Sequence, residues 1–311
     1  MTTSAPLGPP EGIHVPLITP FTDDDRVAVD ALAALARSLL DAGAAGLVAL
    51  GTTGEPSVLS AAERRAVVEV CAEVCRERGA TLTVGVGSND TRGTAEELRA
   101  LRESTPEAGF ALVPVPPYTR PSQDGVVAHF THLSAHSPVP LLVYDIPYRT
   151  GLALAPATLR RLAALPMVAG TKRAVGSLDA TSVDLLADPP PDFTVLGGDD
   201  LYASPMMALG AAGGILASAH LCTGLWAGLA AAWRDGDAVR ARAAGRLLTP
   251  LAAALFAEPN PAVAKAVLHA RGLIPTPAVR LPLLPASPGA TASALERLAA
   301  AESVHIPAHL G

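Results

Sequence analysis

Lysine is almost missing from this sequence. Of 23 lysines and arginines, only Lys172 and Lys265 are lysine, so arginine is the ordinary surface cation and solubility does not account for the two amines. Cysteine is scarce as well. Cys71, Cys75 and Cys222 form neither an even-numbered disulfide framework nor a C-x-x-C pair. Cys71 and Cys75, four apart on an expected helix, read as small core residues rather than ligands. Charged residues make up 17 % and hydrophobic ones 50 %, a balance that excludes general disorder. With a net charge of −6 and no basic run, the chain argues against nucleic acid or an anionic membrane surface as partner. Met1–Gly12 has no charged n-region followed by an apolar h-region, so a signal peptide is not expected there. Pro205–Trp233 is the one uncharged stretch of spanning length, and its glycine runs and His220 fit a strand, a loop and a buried helix better than a membrane span. These absences point to a cytoplasmic protein with no membrane or nucleic-acid partner.

What the 311 residues do contain is a repeated alternation of short apolar runs and helix-period segments. The runs are His14–Phe21, Ala45–Gly51, Thr81–Gly87, Gly109–Pro117, Pro140–Pro147, Met167–Lys172, Phe193–Asp200 and Gly213–Ala219. Amphipathic stretches separate them, with Asp30, Ser60 and Ser177 as expected N-caps, and a helix near Thr223–Asp235 follows the eighth run. Eight consecutive strand–helix units predict a closed parallel (β/α)8 TIM barrel rather than an open doubly wound sheet. Residues 1–12, rich in proline and glycine, are expected as a flexible tail, 13–236 as the barrel and 237–311 as a helical extension. That extension reads as helices at Asp237–Phe256, Pro261–Arg271 and Ser293–Ser303, packed on the barrel or against another subunit.

Right-handed crossovers put the carboxyl ends of all strands on one rim, where active sites of such barrels are built. Polar residues interrupt the runs mostly at those ends. Lys172 closes the sixth run behind an apolar wall, where desolvation lowers an ammonium pKa toward what an imine-forming amine needs. On position alone, an inert loop lysine is an equal reading. Gly51-Thr52-Thr53-Gly54-Glu55 offers two hydroxyls and backbone N–H groups suited to a small carboxylate, although the same string serves as an ordinary turn. Tyr118 follows the fourth run. Tyr144 and Arg149 follow the fifth, as a proton carrier and a carboxylate clamp, or equally as a core tyrosine and a solvated loop charge.

In order, Gly-Thr-Thr-Gly-Glu, Tyr-Thr-Arg-Pro-Ser, Tyr-Asp-Ile-Pro-Tyr-Arg-Thr-Gly, Gly-Thr-Lys, Gly-Gly-Asp-Asp and Glu-Pro-Asn-Pro resemble the dihydrodipicolinate synthase and N-acetylneuraminate lyase family. These are pyruvate-dependent class I aldolases on an eight-fold barrel, and the resemblance runs from about His14 to Leu284. Arg149-Thr150-Gly151 and Arg120-Pro121-Ser122-Gln123 favour the synthase branch. The resemblance implies that Lys172 condenses with pyruvate to an imine and then an enamine, without metal or organic cofactor. It implies that Tyr144 carries protons, that Thr53 links Tyr144 to Tyr118, and that Tyr118 reaches a neighbour's site across a homodimer or homotetramer interface. The backbone at Thr52 and Thr53 would hold the pyruvate carboxylate, and Arg149 that of an incoming small aldehyde, aspartate semialdehyde in the synthases. Gly197 and Leu216 would offer backbone groups near the lysine. The other readings are an aldolase or dehydratase for a keto-deoxy sugar acid or sialic acid, and a non-catalytic carboxylate-binding barrel.

Three positions and one segment depart from the family pattern. Arg173 stands where an acidic residue is usual, Asp145 where asparagine is usual, and Pro117 where an aromatic often is. Pro56–Ala61 lacks the histidine found in synthases inhibited by lysine, so inhibition by free lysine is expected to be weak or absent. Arg173 and Asp145 either pair with each other or favour a more anionic aldehyde or a sugar acid. His129, His132 and His136 share one expected helix with no carboxylate or cysteine to complete a metal site, and read as a mostly solvated face. Asp199-Asp200 reads as a helix cap favoured by the dipole.

Overall fold

A computed structural model describes residues 10–304 of the chain. Eight parallel strands close a barrel in sequence order. They are β1 (Gly12–Pro16), β2 (Gly46–Ala49), β3 (Thr81–Gly85), β4 (Ala108–Pro114), β5 (Leu141–Asp145), β6 (Val168–Arg173), β7 (Thr194–Gly197) and β8 (Gly213–Ile215). Between and after the strands lie α1 (Val29–Asp41), α2 (Ala61–Arg78), α3 (Thr91–Ser104), α4 (Gln123–His136), the short α5 (Pro147–Thr150), α6 (Pro156–Ala163), α7 (Ala180–Ala187), α8 (Ala203–Ala208) and α9 (Thr223–Arg234). Beyond the barrel lie α10 (Ala238–Leu255), α11 (Ala262–Ala270) and α12 (Pro288–Glu302). Closure is direct: Gly12, Ile13 and His14 of β1 pair with Gly213, Gly214 and Ile215 of β8. Gly213 permits that seam, because a Cβ there would meet Gly12 O at 1.9 Å.

Side-chain alternation along the strands splits the core in two. Val48, Phe110, Leu112, Leu142, Tyr144, Leu196 and Ile215 form an inner cluster. A larger cluster lies between the strands and the helical layer and includes Leu32, Leu98, Phe130, Leu159 and Trp226. The parity of each strand therefore decides whether a polar residue meets the barrel mouth or the helices.

Ser60 caps α2 as expected, in a capping box with Glu63. Two other expected caps are corrected. Asp30 lies in the first turn of α1, whose cap position is Ala28 without a side-chain bond. Ser177 yields to Asp179, whose carboxylate accepts from Ser182 N at 2.8 Å and also meets Arg173. The last helix starts earlier than Ser293, at Pro288 behind the cap residue Ser287, since proline is favoured in a first turn. Of the expected tail, residues 1–9 lie outside the described residues, as do 305–311 of the extension, and β1 already begins at Gly12.

Candidate active site

Adjacent strands β5 and β6 place Tyr144 opposite Lys172 and Asp145 opposite Arg173. Tyr144 and Lys172 share the inward parity. Lys172 Nζ lies 4.3 Å from the centroid of the Tyr144 ring, and both residues are buried. Burial lowers the Lys172 pKa from 10.5 to about 8, opposed mainly by the charge of Asp200. The same burial raises the Tyr144 phenol to about 12. Desolvation thus leaves a neutral amine accessible near physiological pH and keeps the phenol protonated as a donor.

Asp145 and Arg173 take the outward parity and form a buried ion pair with each other. Arg173 reaches on to Asp179 and Ser182 at the start of α7. The two departures from the family pattern therefore pair between strands and helix and do not line the barrel mouth. Of the two readings open in the sequence, the geometry selects the mutual pair.

The Gly51–Glu55 turn begins where β2 ends, as a 3₁₀ turn at Thr52–Gly54. Its two threonines point to different partners. The Thr52 side chain is the polar neighbour that pulls the Tyr144 phenol down against its burial. Thr53 Oγ1 accepts instead from Asn260 Nδ2 at 2.9 Å. The expectation that Thr53 links the phenols is corrected: the hydroxyl at Tyr144 belongs to Thr52, because successive 3₁₀ side chains diverge by about 120°. The carbonyl of Gly54 accepts from Thr19 Oγ1 at 2.7 Å, and Glu55 adopts a left-handed backbone with φ 54°.

Arg149 is exposed on α5 just past β5, with its guanidinium 5.2 Å from the Tyr148 ring centroid. It lines a cavity of about 290 Å³ together with Thr52, Pro56, Arg64, Tyr144 and Thr150. A larger, mostly apolar cavity of about 430 Å³ adjoins this one over α2 and α3 without reaching Tyr144, and Lys172 lines neither of the two. Tyr118 does not join the site within one chain. It is 88 % exposed, and its backbone N–H donates to Asn89 Oδ1 at 2.8 Å.

Gly197 pairs across the ladder with Arg173, one residue beyond the lysine. Leu216 is buried and its N–H is spent on His14 O at 3.1 Å, so its carbonyl is what it can offer. The neighbouring Gly198 escaped the sequence reading as a site residue. A Cβ there would meet Lys172 Cε at 2.9 Å, so only glycine leaves the lysine stem its path. Asp199 holds the cap position and Asp200 the first turn of the 3₁₀ helix Asp200–Tyr202, but neither side chain makes a cap bond. Asp199 Oδ2 accepts from Gly176 N at 2.5 Å, and Asp200 Oδ2 accepts from Ser218 N and Oγ at 2.6 and 2.5 Å. Burial raises the buried Asp200 carboxyl to about 6, and its charge acts on Lys172.

The histidine reading is corrected at one position. His132 and His136 are exposed and stacked on each other, whereas His129 is buried with Nδ1 2.8 Å from Thr91 Oγ1 of α3. Among the described residues, no cluster of three or more His, Cys, Asp or Glu is arranged to hold a metal ion, and no helix is long and apolar enough to cross a membrane.

Residues 9–301 match the model of the Dihydrodipicolinate synthetase family. The 4-hydroxy-tetrahydrodipicolinate synthase of Moorella thermoacetica is 38% identical over 285 residues, covering 92% of this chain and 94% of the relative. That of Hyphomonas neptunium is 39% identical over 282 residues, covering 90% and 93%. Among solved structures, the chloride-inhibited dihydrodipicolinate synthase of Acinetobacter baumannii, complexed with pyruvate, superposes with a TM-score of 0.89 at 31% identity, covering 94% of this chain and 99% of the other.

Proposed function

Since the chain belongs to the Dihydrodipicolinate synthetase family, we propose that it is a 4-hydroxy-tetrahydrodipicolinate synthase, condensing pyruvate with aspartate semialdehyde through an imine on Lys172. The observation that carries this reading is the buried Lys172 amine, lowered to about 8 and set against the Tyr144 ring. In its neutral form Nζ attacks the pyruvate ketone, and loss of water gives the protonated imine. That imine is the electron sink: loss of a proton from the methyl carbon gives the enamine. The enamine carbon then attacks the aldehyde, whose oxygen takes up a proton as the carbon–carbon bond forms.

Tyr144, with the Thr52 side chain as its polar neighbour, is the proton carrier for the carbinolamine and for the aldehyde oxygen. The backbone at Thr52 and Thr53 and the Thr53 hydroxyl hold the pyruvate carboxylate, with Gly197 and Leu216 bounding the site beside the lysine. Arg149 clamps the carboxylate of the aldehyde from the cavity wall. Tyr118, exposed in a single chain, reaches the site of a second copy in a homodimer or homotetramer in the cytoplasm. The inward-facing pair Tyr144 and Lys172, with Arg173 and Asp145 turned to the helices, supports the synthase over a sugar-acid aldolase, because these two departures stay out of the mouth.

A panel of aldehydes assayed with pyruvate tests the substrate assignment. Aspartate semialdehyde is expected to turn over fastest. Faster turnover of a sugar aldehyde, the partner whose condensation with pyruvate gives a keto-deoxy sugar acid or a sialic acid, would replace the synthase reading by the aldolase one.

A further inference from the structure

The Glu-Pro-Asn-Pro segment at 258–261 is a motif that the proposed reaction leaves unused. It lies between α10 and α11, in the extension rather than the barrel, yet Asn260 Nδ2 donates to Thr53 Oγ1 across 207 positions of sequence. We infer that Asn260 is a positioning residue that sets the polarity of the Thr53 hydroxyl toward a substrate carboxylate. This inference rests on the reading of Thr53 as a carboxylate-holding residue.

A hydroxyl has one proton to give and two lone pairs to receive with. An amide N–H of Asn260 occupies a lone pair of Thr53, so the hydroxyl proton is left to be donated elsewhere. A carboxylate accepts and never donates, and an O–H pre-committed to donation meets it without reorganising. Were the partner an acceptor, the same hydroxyl would present a lone pair to the anion and repel it. The side chain at 260 thus acts through Thr53 and not on the substrate itself.

The contact has rigid support at both ends. Thr53 is 5 % exposed within the 3₁₀ turn, and the next carbonyl, Gly54 O, is held by Thr19 Oγ1. Two residues past Thr53, Glu55 receives Lys265 Nζ from α11 at 2.8 Å and Arg280 N at 3.0 Å. The extension therefore holds the Gly51–Glu55 turn at two points, and among the described residues only its Asn260 touches the Thr53 hydroxyl.

The test is a double-mutant cycle on Asn260 and Thr53, read as pyruvate KM and kcat, with the unfolding midpoint of each variant as a control. Asn260→Ala is expected to raise pyruvate KM roughly tenfold with kcat within about twofold, as for loss of the Thr53 hydrogen bond to the charged carboxylate that Asn260 orients. In a Thr53→Val background the same change is expected to add less than about twofold, since the route through the hydroxyl is gone. Asn260→Asp keeps the shape but makes the partner an acceptor, and is expected to raise KM more than Asn260→Ala. It also stands in if Asn260→Ala fails to fold. An effect of Asn260→Ala that persists in full without the Thr53 hydroxyl, or an unchanged KM in Asn260→Asp, overturns the inference. If Thr53→Val alone leaves pyruvate KM unchanged, the carboxylate reading of Thr53 is what has failed.

Discussion

Lys265 Nζ donates to Glu55 Oε1 at 2.8 Å in a pair whose side chains are 0 % and 2 % exposed. The only two lysines of the chain thus have opposite fates. Lys265 is buried against a fixed counter-charge and over the Phe21 ring, at 4.1 Å, with the Arg280 guanidinium 4.3 Å from the same ring. Lys172 is buried against a neutral ring with no ion-pair partner of its own among the described residues, which is the environment that frees an amine for covalent chemistry.

Removing one member of the Lys265–Glu55 pair leaves the other charge buried without compensation. Lys265→Met is expected to lower stability by about 3–5 kcal/mol, measured as a drop in the urea midpoint. Adding Glu55→Gln is expected to restore part of that loss. A midpoint unchanged in Lys265→Met would show that the pair contributes nothing to holding the turn.

The amine of Lys172, lowered from 10.5 to about 8, fixes the pH dependence of imine formation. The neutral form reacts, so the rate of pyruvate capture is expected to rise with pH and level off above about 8. An ordinary lysine would keep gaining toward 10.5. Stability follows by linkage: between about 8 and 10.5 the unfolded chain binds the extra proton, so the cost of burying this amine is present below that window and fades as pH rises through it. Rapid-quench trapping across pH checks the first statement, and a rate still climbing at pH 10 would contradict it.

Gly198 is expected to tolerate no side chain. A Cβ 2.9 Å from Lys172 Cε, and as close to Ala174 Cβ, must displace the lysine stem. Gly198→Ala is predicted to reduce kcat by roughly a hundredfold, the scale of a misplacement of about 1 Å in a reacting group. A kcat within twofold of the parent enzyme would show that the stem moves aside freely.

Arg149→Ala separates the two substrates. It is expected to lower kcat/KM for the aldehyde about 10–150-fold, the value of a hydrogen bond to a charged group, while pyruvate capture stays near normal. Loss of pyruvate capture instead would assign Arg149 to the first substrate.

Free lysine at millimolar concentration is predicted to inhibit weakly or not at all. Pro56–Ala61 carries no histidine, and Pro56, Ser57 and Arg64 line the cavity beside the site. A dose-dependent loss of rate would contradict this.

The barrel was legible because eight apolar runs each end in turn residues, and strand parity alone separates Lys172 from Arg173. Helix starts were less so. Asp179 outcompetes Ser177 as a cap because it meets Arg173 as well as Ser182 N, and that second contact is tertiary. The burial of His129 has the same origin, in a contact with Thr91 of the preceding helix. The division of labour between Thr52 and Thr53 was not legible. Two identical side chains in sequence are told apart only by partners that folding supplies, Tyr144 for one and Asn260 for the other.

The most direct test of the imine is borohydride reduction with pyruvate, read by intact mass and peptide mapping. One reduced pyruvate equivalent is predicted on Lys172, absent in Lys172→Ala and retained in Lys265→Arg. An adduct that survives in Lys172→Ala, or none in the unmodified chain, would contradict the account.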